Sequence, residues 1–231
     1  MPPLPPSASL PPASPSPSPT PSAPPSPPVR VYLTFDDGPI KDLSDKILDT
    51  LDQYGVKATF FLLGENLGGN EDAVRRMVGS GHAIGLHSYT HKKNVFYKSP
   101  ENMLAELKRE NDQLELITMQ RTRLVRTPYG SWPNMNKELC QAMTEGGYRF
   151  WDWNIDPGDA YAGATAAKVS SKVIADLQAF RSSKPPIILL HEREATLAAL
   201  PAILDFMTSK DYIFVVFNPS DPPINQMKYV D

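Results

Sequence analysis

Two hydrophobic periods alternate along this chain. Val29–Phe35 follows the strand period, is rich in β-branched and aromatic residues, and ends at the turn signal Asp36-Asp37-Gly38-Pro39. Leu43, Ile47, Leu48 and Leu51 then recur at helical spacing, which predicts a helix over Leu43–Tyr54 stopped by Gly55. The pattern repeats to the end of the chain. Strands are predicted at Ala58–Leu63, Ala83–Leu86, Leu124–Arg126, Tyr148–Trp153, Ile187–Leu190 and Tyr212–Phe217. Helices are predicted between them at Asp72–Ser80, Glu101–Ile117, Asn136–Glu145, Ala164–Phe180 and Thr196–Ser209. Strands alternating with helices imply a parallel sheet. About seven such units favour a distorted (β/α) barrel, with an open doubly wound sheet as the alternative that the pattern alone leaves standing.

Composition divides the chain in two. Residues 2–28 contain only Pro, Ser, Ala, Thr and Leu, a mixture that cannot build a core and whose prolines block helix and sheet pairing. Residues 1–28 are expected to be a disordered, polyproline-like spacer of about 3 Å per residue, and residues 29–231 a single catalytic domain. Met1-Pro2-Pro3-Leu4 has neither a basic n-region nor an apolar h-region, so an export signal is expected upstream of it. No apolar run reaches the ~20 residues that span a bilayer. The net charge of −3 argues against a nucleic-acid partner and suits a neutral one such as a glycan. Cys140, the one cysteine, excludes an internal disulfide and reads as a small buried side chain on a helix.

The polar residues of interest fall directly after predicted strands: Asp36 and Asp37, His87 with His91 in the next turn, Arg126, Asp156, and His191. In a parallel barrel these strand ends open onto one face, where catalytic groups converge. Two histidines and a carboxylate are a common ligand set for a catalytic divalent cation. Each signal has a bland reading when taken alone. A His-x-x-x-His pair is often solvated, and an Asp-Asp turn often caps a helix. Five segments placing titratable groups at one barrel face is the stronger observation.

These residues also carry a family resemblance. Thr34-Phe35-Asp36-Asp37-Gly38-Pro39, His87-Ser88-Tyr89-Thr90-His91, Arg126-Thr127-Pro128-Tyr129-Gly130, Trp151 through Asp159, and Ile188-Leu189-Leu190-His191 resemble, in order, the five motifs of carbohydrate esterase family four. These are the polysaccharide deacetylases with a NodB-homology domain. The resemblance runs from Val29 to Phe217 and implies a distorted (β/α) barrel.

It implies roles as well. Asp37, His87 and His91 hold one divalent metal, zinc by default, with cobalt, nickel or iron also suited to the ligand set. A metal-bound water attacks the acetyl carbonyl. Asp36 is the general base, with Arg126 as its bidentate partner. The Tyr129 backbone N–H stabilises the oxyanion. His191 is the general acid, Asp156 orients it, and Leu189 packs on the acetyl methyl group. Trp132 and Trp153 are candidate sugar-stacking walls, Asp159 is either a turn residue or part of the groove, and His82 is structural. Two places depart from the family pattern: Ala160 stands where a tryptophan is usual, and Glu192 where an aspartate is usual.

The resemblance therefore implies a secreted or cell-wall-associated monomer acting on an acetylated glycan. Peptidoglycan ranks ahead of chitin. An O-acetyl xylan esterase and a non-catalytic glycan-binding module on the same fold are the alternatives.

Overall fold

The architecture grows from one central strand. A computed structural model describes Met1 and residues 29–227, so the expected spacer at 2–28 lies outside the described residues. The first strand, β1 (Arg30–Gly38), splits its side chains between two cores. Val31, Leu33 and Phe35 face the surrounding helices, including Ile47, Leu48 and Leu51 of α1 (Leu43–Gln53). Tyr32 faces the other way, into a smaller cluster with Phe61, Leu124, Trp151, Ile187 and Phe217. This is the period-two alternation of a strand buried on both faces.

The remaining strands are β2 (Thr59–Leu62), β3 (Ala83–Leu86), β4 (Leu124–Val125), β5 (Arg149–Phe150), β6 (Ile187–His191) and β7 (Ile213–Val215). All are parallel to their neighbours, in the order β5-β4-β3-β2-β1-β6, and β7 pairs with the first residues of β1. The sheet curls so that the segment after β5 reaches β6 through a single bridge between Ile155 and Ile188. Asn154 reinforces this seam, its Oδ1 accepting from Ile187 N at 2.7 Å and its Nδ2 donating to Pro185 O at 2.9 Å. The result is the distorted (β/α) barrel expected from the strand count, closed by one bridge in place of a full ladder.

Inside the barrel, aromatic rings form a floor. Phe217 stacks on Tyr32 at 4.4 Å and contacts Trp151 at 5.2 Å and Phe61 at 6.1 Å. Gly85 makes room for Phe61, because a Cβ there would lie 2.3 Å from its ring.

Helix starts follow their caps. Ser99 caps α5 (Pro100–Thr118), accepting from Asn102 N with Pro100 at the first helical position, so the helix begins one residue earlier than its apolar spacing predicts. Asn136 caps α6 (Lys137–Glu145) and Thr165 caps α7 (Ala166–Ala179), so both of these residues stand outside the helices predicted to contain them. Helices α3 (Glu71–Gly79) and α8 (Glu194–Thr208) lie near their predicted places. The four-residue helices α2 (Gly64–Leu67) and α4 (Lys93–Phe96) are too short for periodicity to reveal. No helix among the described residues is long and apolar enough to cross a membrane. Cys140 is buried on α6, and His82 is structural, its Nδ1 accepting from Ala58 N at 3.0 Å.

Candidate active site

The C-terminal strand ends line a groove of about 490 Å³ that contains Asp36, Asp37, His87, His91, Asp156 and His191. Adjacent residues of a strand normally face opposite ways, yet Asp36 and Asp37 both reach this groove. The reason is a register break between Asp36 and Gly38 in the β1–β2 ladder, with Asp37 in the left-handed region at φ 70°. The irregularity re-aims the second carboxylate toward the side on which the first already stands.

Asp36 is buried at the floor of the groove and pairs with His191 across the β1–β6 ladder. Arg126, fully buried beneath it, donates from Nη1 to Asp36 Oδ1 at 2.8 Å and to Thr34 Oγ1 at 2.7 Å. The expected two-bond fork onto Asp36 does not form. The other guanidinium nitrogens are occupied, Nε by Trp151 O at 3.2 Å and Nη2 by Asp152 O at 3.3 Å. The guanidinium also lies 4.3 Å over the Phe61 ring. Arg126 thus fixes one carboxylate oxygen of Asp36 and leaves Oδ2 turned toward His87, 3.7 Å from its Nε2.

Asp37, His87 and His91 each offer a ligand atom, all within 4.8 Å of one another. Asp37 Oδ1 lies 3.6 Å from Nε2 of both histidines. It is buried and has no hydrogen-bond partner among the described residues, a costly state that a cation would relieve. His87 Nδ1 lies 2.7 Å from the Arg126 carbonyl. A carbonyl only accepts, so Nδ1 carries the proton and the Nε2 lone pair faces the carboxylates. Burial foremost, and then the neighbouring His87, depress the His91 pKa to about 4, which keeps its imidazole neutral and able to ligate. The donor set therefore fits a divalent cation.

On the opposite wall, His191 is held by Asp159. The Nδ1 of His191 lies 2.8 Å from Asp159 Oδ1, while its backbone N–H and the Thr196 hydroxyl both donate to Asp159 Oδ2 at 2.6 Å. The expectation that Asp156 orients His191 is corrected here. Asp156 lines the groove, but its Oδ1 is turned back to accept from Gly158 N at 2.8 Å, closing its own turn. Burial alone would lower the His191 pKa. The Asp159 hydrogen bond and the charges of Asp36, Asp159 and Asp37 outweigh it, and the net displacement is upward.

Leu189, Trp153 and Tyr129 line the groove. The Tyr129 ring sits 4.6 Å from that of His91, and the residue adopts φ 61°. Its N–H donates to no acceptor among the described residues. Trp132 is not brought to the groove. Its side chain is exposed to solvent, and Asp152 holds the preceding Ser131 at both its N–H and its hydroxyl.

Sequence reasoning passed over several residues. Glu106 and Glu110 of α5 bond to the loop that carries the two groove histidines. Arg193 reaches Asp37 Oδ2 at 3.3 Å from the rim. None of these lies in a spacing pattern that would single it out. Glu192, noted above for standing where an aspartate is usual, is buried beneath Gly38, bonding Ser44 Oγ and, at 3.3 Å, Ile40 N.

Comparisons with known proteins point to one family. The sequence profile described as polysaccharide deacetylase matches residues 23–151. A putative polysaccharide deacetylase of Bacillus subtilis, YheN, is 37% identical over 197 residues, covering 85% of this chain and 70% of the relative. A peptidoglycan-N-acetylglucosamine deacetylase of Bacillus cereus is 38% identical over 202 residues, covering 84% of this chain and 71% of the relative. Among solved structures, the polysaccharide deacetylase Bc1974 from Bacillus cereus superposes with a TM-score of 0.78 at 36% identity, over 86% of this chain and 97% of that one. With its motifs, its barrel and these relatives in agreement, the chain belongs to the polysaccharide deacetylase family.

Proposed function

We propose that this chain is a metal-dependent hydrolase that removes N-acetyl groups from N-acetylglucosamine residues of a polysaccharide, peptidoglycan first and chitin second. The observation that carries the reading is the placement of two proton-transfer groups around one candidate metal site. Asp36 is paired with Arg126, and His191 is held by Asp159 with its pKa displaced upward. The ranking of peptidoglycan over chitin is supported by the name of the Bacillus cereus relative.

Asp37, His87 and His91 would hold the cation, with zinc the default and cobalt, nickel or iron compatible with one oxygen and two nitrogen donors. When bound, such a cation lowers the pKa of a coordinated water and polarises a carbonyl. The chain's own residues supply the rest. Asp36 accepts the proton of the attacking water through the oxygen that Arg126 leaves free. The Tyr129 N–H, uncommitted within the fold, is available to the oxyanion. Leu189 offers an apolar wall for the acetyl methyl group. His191 gives its proton to the departing nitrogen as the C–N bond breaks, releasing acetate and a free amine. Trp153 is retained as a sugar wall and Trp132 is not. The working location is outside the cell or at its wall, and the working form is a monomer.

Acetate release from chitooligosaccharides, intact peptidoglycan and acetylated xylan, compared between the native protein and Asp36→Asn, tests the reading. Release from an aminosugar polymer that is lost in the variant is the expected result. Release from xylan alone would move the assignment to an O-acetyl esterase, and glycan binding without turnover to a binding module.

A further inference from the structure

The loop from His87 to His91 carries both candidate metal-binding histidines and has no regular structure of its own. Two of its non-glycine residues, Ser88 at φ 76° and His91 at φ 56°, lie in the left-handed region. Such a conformation persists only when the surroundings over-determine it. Part of the support is local: Ser88 Oγ accepts from His91 N at 2.9 Å, and the Ser88 and Tyr89 carbonyls accept from Gly64 N and Glu65 N at 3.1 and 2.9 Å. The rest comes from α5, whose buried face is apolar at Met103, Leu107 and Leu114 but carries two carboxyls one turn apart.

Glu106 Oε2 accepts from both the Thr90 N–H and the Thr90 hydroxyl at 2.8 Å. Glu110 Oε1 accepts from His87 N at 3.2 Å. Both side chains are buried, Glu110 almost completely. Neither forms an ion pair among the described residues. Burying two carboxyls without a cation is unfavourable unless they accept hydrogen bonds. Here the donors are the Thr90 N–H and hydroxyl and the His87 N–H, which Glu110 shares with Leu62 O at 2.8 Å. Glu110 Oε2 remains without a partner among the described residues. Asn111 anchors the same helix turn to the entrance of β4 through paired bonds with Thr122 at 2.9 and 3.1 Å.

We propose that Glu106 and Glu110 are positioning residues for the metal site, a two-point clamp from α5 that holds the His87–His91 loop in the geometry needed to ligate. The inference rests on the reading that Asp37, His87 and His91 hold a cation. The clamp acts on the backbone of the ligand loop, where metal-ligating histidines are more commonly fixed through their ring N–H.

The test is a Co²⁺ titration of the metal-free full chain, followed by visible absorption, alongside thermal unfolding of the same metal-free samples. Glu106→Ala and Glu110→Ala are expected to weaken Co²⁺ binding by about 10-fold or more and to alter the absorption bands, the range seen when groups that orient metal ligands are removed. Glu110→Gln, which keeps an acceptor oxygen, is expected to restore binding to within about 3-fold of the native protein. Leu107→Ala, on the same helix face, serves as the control for general damage: its Tm should fall while Co²⁺ affinity stays near native. Glutamate variants that lose Tm as Leu107→Ala does yet bind Co²⁺ with native affinity would overturn the clamp and leave the metal reading intact. A native protein that takes up no Co²⁺ would overturn both.

Discussion

Asp159 and His191 lie 32 positions apart in the chain and meet twice, Oδ1 at the imidazole Nδ1 and Oδ2 at the backbone N–H of the same residue. The double contact fixes both the ring orientation and the strand end that carries it. If the protonated ring is the proton donor, activity falls as pH rises through its upward-displaced pKa. Asp159→Asn removes the largest contribution opposing burial, so the alkaline limb of kcat/KM should move to lower pH, by about one unit, with kcat reduced roughly 10- to 100-fold. Asp156→Asn should leave that limb nearly in place. A pH–rate profile of the two variants decides between them. The linked stability has the matching sign: the pair stabilises the fold below the unfolded imidazole pKa, and this contribution is lost as pH rises through the folded value.

Removing the base without removing its partner leaves a buried cation unpaired. Asp36→Asn should reduce kcat by at least about 10²-fold. Asp36→Leu should also destabilise the fold by about 3–5 kcal/mol, since it removes the carboxylate that pairs the buried Arg126 guanidinium and leaves Thr34 Oγ1 as the remaining acceptor of Nη1. Urea unfolding of the two variants side by side separates the loss of chemistry from the loss of fold. Equal stability of Asp36→Leu and the native protein would contradict the pairing.

Glu192 is buried under the β1 turn, and burial foremost raises its pKa to about 7 against the opposing bonds from Ser44 and Ile40. Its proton is released at lower pH in the unfolded chain than in the folded one. Stability should therefore decline as pH rises from the ordinary glutamate range toward 7, and Glu192→Gln should remove most of that decline, about 1–3 kcal/mol at pH 8. Unfolding curves at pH 5 and pH 8 supply the test, and an unchanged pH slope would count against it. Gly38→Ala should also destabilise, by about 2 kcal/mol, because its Cβ would lie 1.8 Å from Glu192 Oε1.

Chelation followed by dialysis should abolish acetate release, and stoichiometric divalent cation should restore it. Elemental analysis of the active form should find about one metal per chain. Full turnover in protein shown to be metal-free would defeat the proposed chemistry.

Much of this was legible in the sequence, for identifiable reasons. Strand and helix periods are local, so the alternation that builds the barrel could be read from Val29 to Phe217. Asp36, Asp37, His87, His91, Leu189 and His191 lie at or soon after the C-terminal ends of strands, so the parallel topology brings them to one groove, with Arg126 buried beneath Asp36. What failed was the pairing of residues distant in sequence. Asp156 and Asp159 sit three positions apart in one irregular segment, and only the fold decides which carboxyl reaches His191 and which closes its own turn. Trp132 closely follows the third motif in the sequence, yet its side chain is exposed to solvent and is not among the residues that line the groove. Glu106 and Glu110 occupy positions where helical periodicity reads simply as a break in an apolar face.

Arg126 makes decay of this site by gradual drift costly. A lineage that no longer needs turnover could shed a surface residue freely. The guanidinium beneath Asp36 instead ties β1 to the chain after β5, through Thr34, Asp36 and the carbonyls of Trp151 and Asp152. Losing the acidic partner strands a charge in the middle of the barrel. Selection for a well-folded protein therefore also guards the base, and descendants that abandon catalysis would be expected to change both residues together.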